Sequence, residues 1–185
     1  MILPITIYGN PVLRKKAQPV TPDYPGLKDL ISNMFDTLAS AEGVGLAAPQ
    51  VGVSIQLVII DATPFADDDP ECKDFKKVLI NPVIVDFPTE EDEQFNEGCL
   101  SLPGLSEDVW RPNKVEVKYL DENFEEHHEV WDGMRARISQ HEIDHLSGKL
   151  YIDHISPIRR RLITGKLNAM VKGKVTARYK IVNNK

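Results

Sequence analysis

Apolar residues recur at Leu27, Leu30, Ile31, Met34 and Leu38, at the three- and four-residue intervals of an amphipathic helix. Pro22, Pro25 and Gly26 punctuate the chain before it, and Gly43 marks its end. Ahead of this helix, Gly9 to Arg14 reads as a turn and a short extended piece. After it, Gly43 to Gln50 is too rich in glycine for a helix, and Ile55 to Ile60 predicts a strand. Residues 61–77 are acidic and irregular and predict an exposed loop holding Cys72, without the spacing of an EF-hand. Strand character resumes from Val78 to Phe87, with a break at Asn81-Pro82. Val115, Val117 and Tyr119 then alternate, and Phe124 to Trp131 returns as a hairpin partner across Asp121–Asn123.

A second helix is expected from Asp132, as N-cap, to a left-handed stop at Gly148. Met134, Ile138, His141 and His145 fall on one stripe of it, and Ile143 points the other way. A helix with apolar positions on more than one side is central. Ser156-Pro157 is a good N-cap and N1 pair for a last helix over 157–173, with Ile158, Leu162, Leu167 and Met170 as packing positions and 174–185 as a tail. Short strands with an early, a central and a late helix predict an α+β fold, its short antiparallel sheets packed around the central helix.

Length and composition sharpen this picture. A chain of 185 residues, 42% hydrophobic and 27% charged, reads as one globular domain over 1–185. Pro4 interrupts the short apolar run at the N-terminus, and no signal peptide or membrane span is expected. Two cysteines, Cys72 and Cys99, fit a reducing cytosol, so a cytoplasmic location is expected. The net charge of -6 is unevenly spread: from Arg159 onward there are nine Lys/Arg and no acid, and the rest carries 13 basic against 28 acidic residues. An acidic body implies neither a DNA nor a membrane partner, whereas the basic end suits a polyanion or a solvated helix face.

The central helix carries the candidate chemistry. Gln140-His141-Glu142-Ile143-Asp144-His145 contains H-E-x-x-H, which puts two imidazoles on one face with a carboxylate beside them. Five residues alone are compatible with two ordinary histidines. A hydrolytic metal site also needs a third protein ligand and a position for water. No Glu follows Glu142, and Tyr151 stands where an extended H-E-x-x-H-x-x-G-x-x-H pattern needs its last His, with His154 a near miss. Upstream, Cys99 in Glu97-Gly98-Cys99-Leu100-Ser101 is the better candidate, since a thiolate binds zinc or ferrous iron strongly. His127 and His128 are adjacent on one strand, face opposite sides and cannot chelate one ion together.

Three motifs stand in order: Gly43-x-Gly45-x-Ala47-Ala48-x-Gln50, Glu97-Gly98-Cys99-Leu100-Ser101 and Gln140-His141-Glu142-x-Asp144-His145. Together with Pro11-Val-Leu-Arg14 and Tyr151-Ile-Asp-His-Ile-Ser-Pro157, they resemble the bacterial peptide deformylases over nearly the whole chain. The resemblance implies removal of the formyl group from N-terminal formyl-methionine of nascent peptides, releasing formate. It implies Cys99, His141 and His145 as ligands of one divalent metal, physiologically Fe2+ with Zn2+, Ni2+ or Co2+ as substitutes. Glu142 is then the general base, and the Gln50 side chain and Leu100 N–H meet the developing oxyanion. The Gly45 N–H and the Val44 carbonyl, in the run from Gly43, would bind the peptide main chain. For Gly43 and Gly45 a loop requirement for positive φ is the structural alternative.

Met134 and Ile138 are candidates for an apolar pocket, with Arg137 able to reach its rim and Arg111 read as a structural ion-pair residue. The basic C-terminal helix, in a chain acting on nascent peptides, is a candidate for ribosome contact. A peptidase and a metal-stabilised binding module are the rival classes. Cleavage of an internal peptide bond would mark the first, and a fourth protein ligand the second.

Overall fold

The computed structural model describes residues 1–184. Strands β1 (Ile5–Thr6), β2 (Gly45–Ala47), β3 (Leu57–Asp61), β4 (Lys76–Asp86), β5 (Asp92–Gly98), β6 (Ser106–Pro112), β7 (Lys114–Leu120), β8 (Glu126–Asp132) and β9 (Ile181–Val182) alternate with four helices. These are α1 (Leu27–Ser40), α2 (Gly133–Leu146), α3 (Pro157–Leu162) and α4 (Thr164–Val171). The fold is α+β, as the pattern predicts.

The central sheet has the order β2-β3-β4-β7-β8, every neighbour antiparallel, and it is covered on both faces. Alternation along β3 decides which residue meets which helix. Leu57 and Ile59 join Ile31, Met34 and Leu38 of α1, while Val58 and Ile60 join Ala136, Ile138 and Leu146 of α2. A strand buried on both faces reads as the continuous apolar run Leu57-Val-Ile-Ile60. The break foreseen at Asn81-Pro82 is a kink inside β4: Asn81 has φ +50°, and the pairing register with β7 shifts between Ile80 and Val83. Its side chain exchanges hydrogen bonds of 2.8 Å with the N–H and carbonyl of Val20.

Several local expectations are corrected. Pro11–Arg14 is a 3-10 turn, not an extended piece, because Asn10 Oδ1 accepts the Val12 N–H and Pro11 fixes the first φ. The stretch from 61 to 77 is ordered by two 3-10 turns, Thr63–Phe65 and Pro70–Cys72, and Cys72 is wholly buried with Phe75 and Trp131. Asp132 stands at the N-cap of α2 without a side-chain cap bond. Its carboxylate pairs with Arg135, and the Met134 N–H goes to Asp69 Oδ2 at 3.3 Å. Gly148 does end α2, at φ +72°, where a Cβ would stand 2.5 Å from the Arg14 carbonyl oxygen.

The late helix is not continuous over 157–173. It breaks at Ile163, whose N–H still bonds Arg159 while its side chain is buried with Leu167 and Met170. Ile158 and Leu162 are 75% and 68% exposed rather than packed. The tail does not fray: β9 pairs in parallel with β1, and Asn184 Nδ2 donates to the Tyr8 and Met170 carbonyls. Among the described residues, no helix is long and apolar enough to cross a membrane.

Candidate functional site

α2 is an unusual helix because it buries Arg137, Ser139, Gln140, His141, Glu142 and His145. Each buried polar group needs a partner or a ligand. His141 Nδ1 meets Glu97 Oε2 at 2.8 Å, which leaves Nε2 as the free ring atom. Glu97 also accepts from Arg111 Nε at 2.7 Å and Arg137 NH1 at 2.8 Å, and Arg111 reaches Asp144 at 2.8 Å. Arg111 is thus the ion-pair residue the sequence suggests. Arg137 lines the cavity yet is buried, held by Glu97 and by the Val109 and Glu93 carbonyls. Burial alone would raise the Glu97 carboxyl, but the bonds from His141 and Arg111 outweigh it and hold it far below the usual carboxylate range. The role of Glu97 is not legible beforehand; its only sequence signal is its place two residues before Cys99.

Cys99, at the end of β5, completes the group. Ligand atoms of Cys99, His141 and His145 lie within 4.8 Å of one another. Cys99 Sγ is 3.5 Å from His145 Nε2. With zinc-like bonds of about 2.3 Å to sulfur and about 2.0 Å to nitrogen, a tetrahedral site separates those atoms by about 3.5 Å. The donor set and its spacing therefore fit one divalent metal ion. Burial, with His141 beside it, holds His145 well below the ordinary imidazole value. His141 is raised despite burial, because Cys99 and Glu97 favour positive charge between them. His154 bonds Asp144 at 2.7 Å and is not a member of this group, nor is Cys72. Tyr151, in the place of the extended motif's last His, stacks on His141 at 6.0 Å between ring centroids.

Glu142 is 5% exposed, and its Oε2 has no hydrogen-bond partner. Burial pushes its carboxyl up to about 7, against the pull of His141. Across from it lies Gly45, where a Cβ would stand 2.5 Å from Glu142 Oε1. Gly45 and Gly43 do not have positive φ, so the conformational reading fails for both. Space demands Gly45, which packs against the Glu142 side chain, whereas a Cβ at Gly43 would first meet only the terminal methyls of Leu38 and Leu100.

In the β2–β3 ladder the Asp61 N–H donates to the Val44 carbonyl at 2.9 Å, which commits that carbonyl to the sheet. The next position, Gly45 opposite Ile60, therefore turns its own N–H and carbonyl toward the open edge. Gln50 follows in the 3-10 turn Ala48–Val51. Its Oε1 accepts the Ala47 N–H at 2.8 Å, which orients Nε2 toward Cys99 Sγ at 3.4 Å and Ser101 Oγ at 3.2 Å.

These residues line one cavity of about 470 Å³. Gly43, Val44, Gly45, Gln50, Cys99, Leu100, Met134, Ile138, His141 and Glu142 all reach it, so every candidate except the deeper His145 meets there. The sequence offers no warning of four other lining residues: Phe65, Phe95, Arg178 and Tyr179. The last two come from the C-terminal tail. Tyr179 donates to the Leu100 carbonyl at 2.7 Å, and Arg178 pairs with Glu42 at 2.6 Å on the rim.

Comparison with known proteins agrees with this geometry. The sequence model of polypeptide deformylases matches residues 2–161. A peptide deformylase of Christiangramia forsetii is 49% identical over 188 aligned positions, covering 98% of this chain and 95% of the relative. A crystal structure of a peptide deformylase from Legionella pneumophila superposes with TM-score 0.79 at 41% identity, over 93% of this chain and 96% of the other. That of Thermus thermophilus gives 0.81 at 38% identity, over 94% and 100%. Matched from its second residue through both metal motifs, the chain belongs to the polypeptide deformylase family.

Proposed function

We propose that this chain removes the formyl group from N-formylated nascent polypeptides with Glu142 as general base and one metal held by Cys99, His141 and His145. The observation that carries the reading is a cysteine sulfur and two imidazoles with ligand atoms within 4.8 Å of one another, next to an unpartnered buried carboxyl group, at a cavity beside an open strand edge. A divalent ion bound there lowers the pKa of water at the site and polarises the substrate carbonyl.

Every other part belongs to the chain. An extended formyl peptide lies along β2, bonded to the outward N–H and carbonyl of Gly45, as an added strand. Glu142 Oε2 takes the proton of the attacking water and passes one to the departing amine. As the carbonyl carbon becomes tetrahedral, Gln50 Nε2 and the Leu100 N–H receive the negative charge on oxygen. The Ala47 bond to Oε1 keeps Gln50 from turning its acceptor toward that charge. Met134 and Ile138 form part of the apolar wall for the methionine side chain.

Ferrous iron is the proposed physiological ion, with zinc, nickel or cobalt as substitutes, because one thiolate and two imidazoles suit each of these. Residues 1–185 form one domain in this reading, supported by β1 and β9 joining the two ends of the chain. A cytoplasmic location follows from the nascent substrate and the two free cysteines.

Contact with the ribosome through the basic end is part of the proposal. Arg159 is tied to Glu107, Arg160 to Asp153 and Arg178 to Glu42. Arg161, Lys166, Lys172, Lys174 and Lys180 are exposed and, among the described residues, carry no ion pair, so they are the basic groups proposed for the contact. Formate release from a formyl-methionyl peptide, with bound metal quantified, tests the central claim. Metal-loaded protein that releases no formate, or that cleaves internal peptide bonds instead, would overturn it. Co-sedimentation with ribosomes at low salt tests that contact.

A further inference from the structure

The segment between Asp61 and Lys77 has no part in the mechanism above, yet its hydrogen bonds fix it closely. Asp61 Oδ1 accepts both the N–H and the hydroxyl of Thr63 and starts the turn Thr63–Phe65. That turn delivers Phe65 to the cavity. The Phe65 carbonyl accepts the N–H groups of Asp68 at 3.1 Å and Asp69 at 2.7 Å. The Asp69 carboxylate in turn accepts the Met134 N–H at the start of α2. Phe65 and Met134 are thus joined through a single residue. Both also pack on the apolar cluster that holds Ile138, with Val44 beside them.

The walls of this cavity differ in what they are tied to. Met134 and Ile138 ride on the helix that carries His141, Glu142 and His145, so a change in their backbone moves the metal ligands. Val44 immediately precedes the edge strand β2, along which the substrate's own main chain is proposed to lie. Of these four apolar wall residues, Phe65 alone comes from a segment that holds no ligand, base, oxyanion donor or main-chain contact for the substrate. A ring there reshapes the apolar wall and leaves the reacting atoms in place.

We infer that Phe65 is a specificity-determining residue, which limits the size and shape of the first side chain of the formyl peptide. The inference rests on the deformylase reading above. The acidic segment then serves to hold that ring, through Asp69, at a fixed position against α2.

The test is kcat/KM for formate release from N-formyl tripeptides whose first residue is alanine, norleucine, methionine, phenylalanine or tryptophan. Wild type is compared with Phe65→Ala and Phe65→Trp, each metal-loaded and with metal content and Tm recorded. Phe65→Ala should lose about tenfold on the formyl-methionyl peptide, on the order of what one or two missing methylene contacts cost. It should lose less, or gain, on the aromatic peptides. Phe65→Trp should do the reverse, sparing the alanyl peptide while the methionyl and aromatic ones fall. The two variants oppose each other, so one poorly folded variant does not decide the matter. Unchanged ratios among the five peptides, whether all rates fall together or none does, would overturn the role of Phe65 and leave the deformylase reading standing. A metal-loaded wild type inactive on all five would instead overturn the deformylase reading, and this inference with it.

Discussion

α1 and α2 are both 14 residues long and cover opposite faces of the same sheet, yet they are held in opposite ways. α1 buries one largely apolar stripe, Leu27, Ile31, Met34, Thr37 and Leu38. Area removed from water is its main bond to the fold. α2 is buried nearly all round and places six polar residues in the interior. Three of these, Arg137, Gln140 and His141, are satisfied by β5 and β6 through Glu97, Val109 and Pro112. The buried side-chain atoms of α2 left without a partner are Arg135 Nε, Glu142 Oε2 and His145 Nδ1. Two of these three belong to the H-E-x-x-H residues, and Glu142 among them faces the cavity. The stability helix can lose its pattern only by unfolding the protein, whereas the catalytic helix can lose its function and keep its fold.

The largest effect expected from this contrast is on the metal group that α2 shares with Cys99. Replacing Cys99 or His141 with alanine should abolish stoichiometric metal binding and with it turnover, while Cys72→Ala leaves metal content intact. Metal analysis of the purified variants reads both. Glu142→Gln comes next: it keeps size and polarity but cannot accept a proton, so formate release should fall by roughly 10²–10⁴ with metal retained. Turnover near wild type would remove Glu142 from the role of base.

On α1, Met34→Ala should cost about 2–5 kcal/mol of stability, since Met34 is fully buried. Activity per folded, metal-loaded molecule should stay near wild type. Denaturant unfolding and a rate normalised to metal separate these, and a lost rate without lost stability would break the comparison. Smaller still is the borrowed cap. Asp69→Ala removes the acceptor of the Met134 N–H, at about 1 kcal/mol by analogy with N-cap substitutions. The smallest is Tyr179→Phe, which deletes one hydrogen bond to the Leu100 carbonyl and should cost on the order of 1 kcal/mol. A few-fold loss of formate release beyond that would make the C-terminal tail part of the oxyanion geometry.

The sequence by itself determined α1, the β7–β8 hairpin, α2 and its histidines, because periods of 3.6 and 2 and an i, i+4 pair are local consequences of backbone geometry. It also pointed to Cys99, by the want of a third ligand and by three motifs in a familiar order. What depends on approach across the fold was decided only by the tertiary structure. Gly45 looks like a loop glycine until Glu142 is seen against it. Ser156-Pro157 announces a helix, but where it breaks depends on Ile163 finding the core beside Leu167 and Met170. Cys72 sits in an acidic, polar stretch, yet two 3-10 turns fold it under Trp131. Phe65 reaches the cavity from a segment far from α2 in the chain, and Tyr179 bonds Leu100 from 79 residues away. No periodicity records a contact at that separation, since it is set by how the sheet, the ribbon of β5 and β6, and the tail pack together.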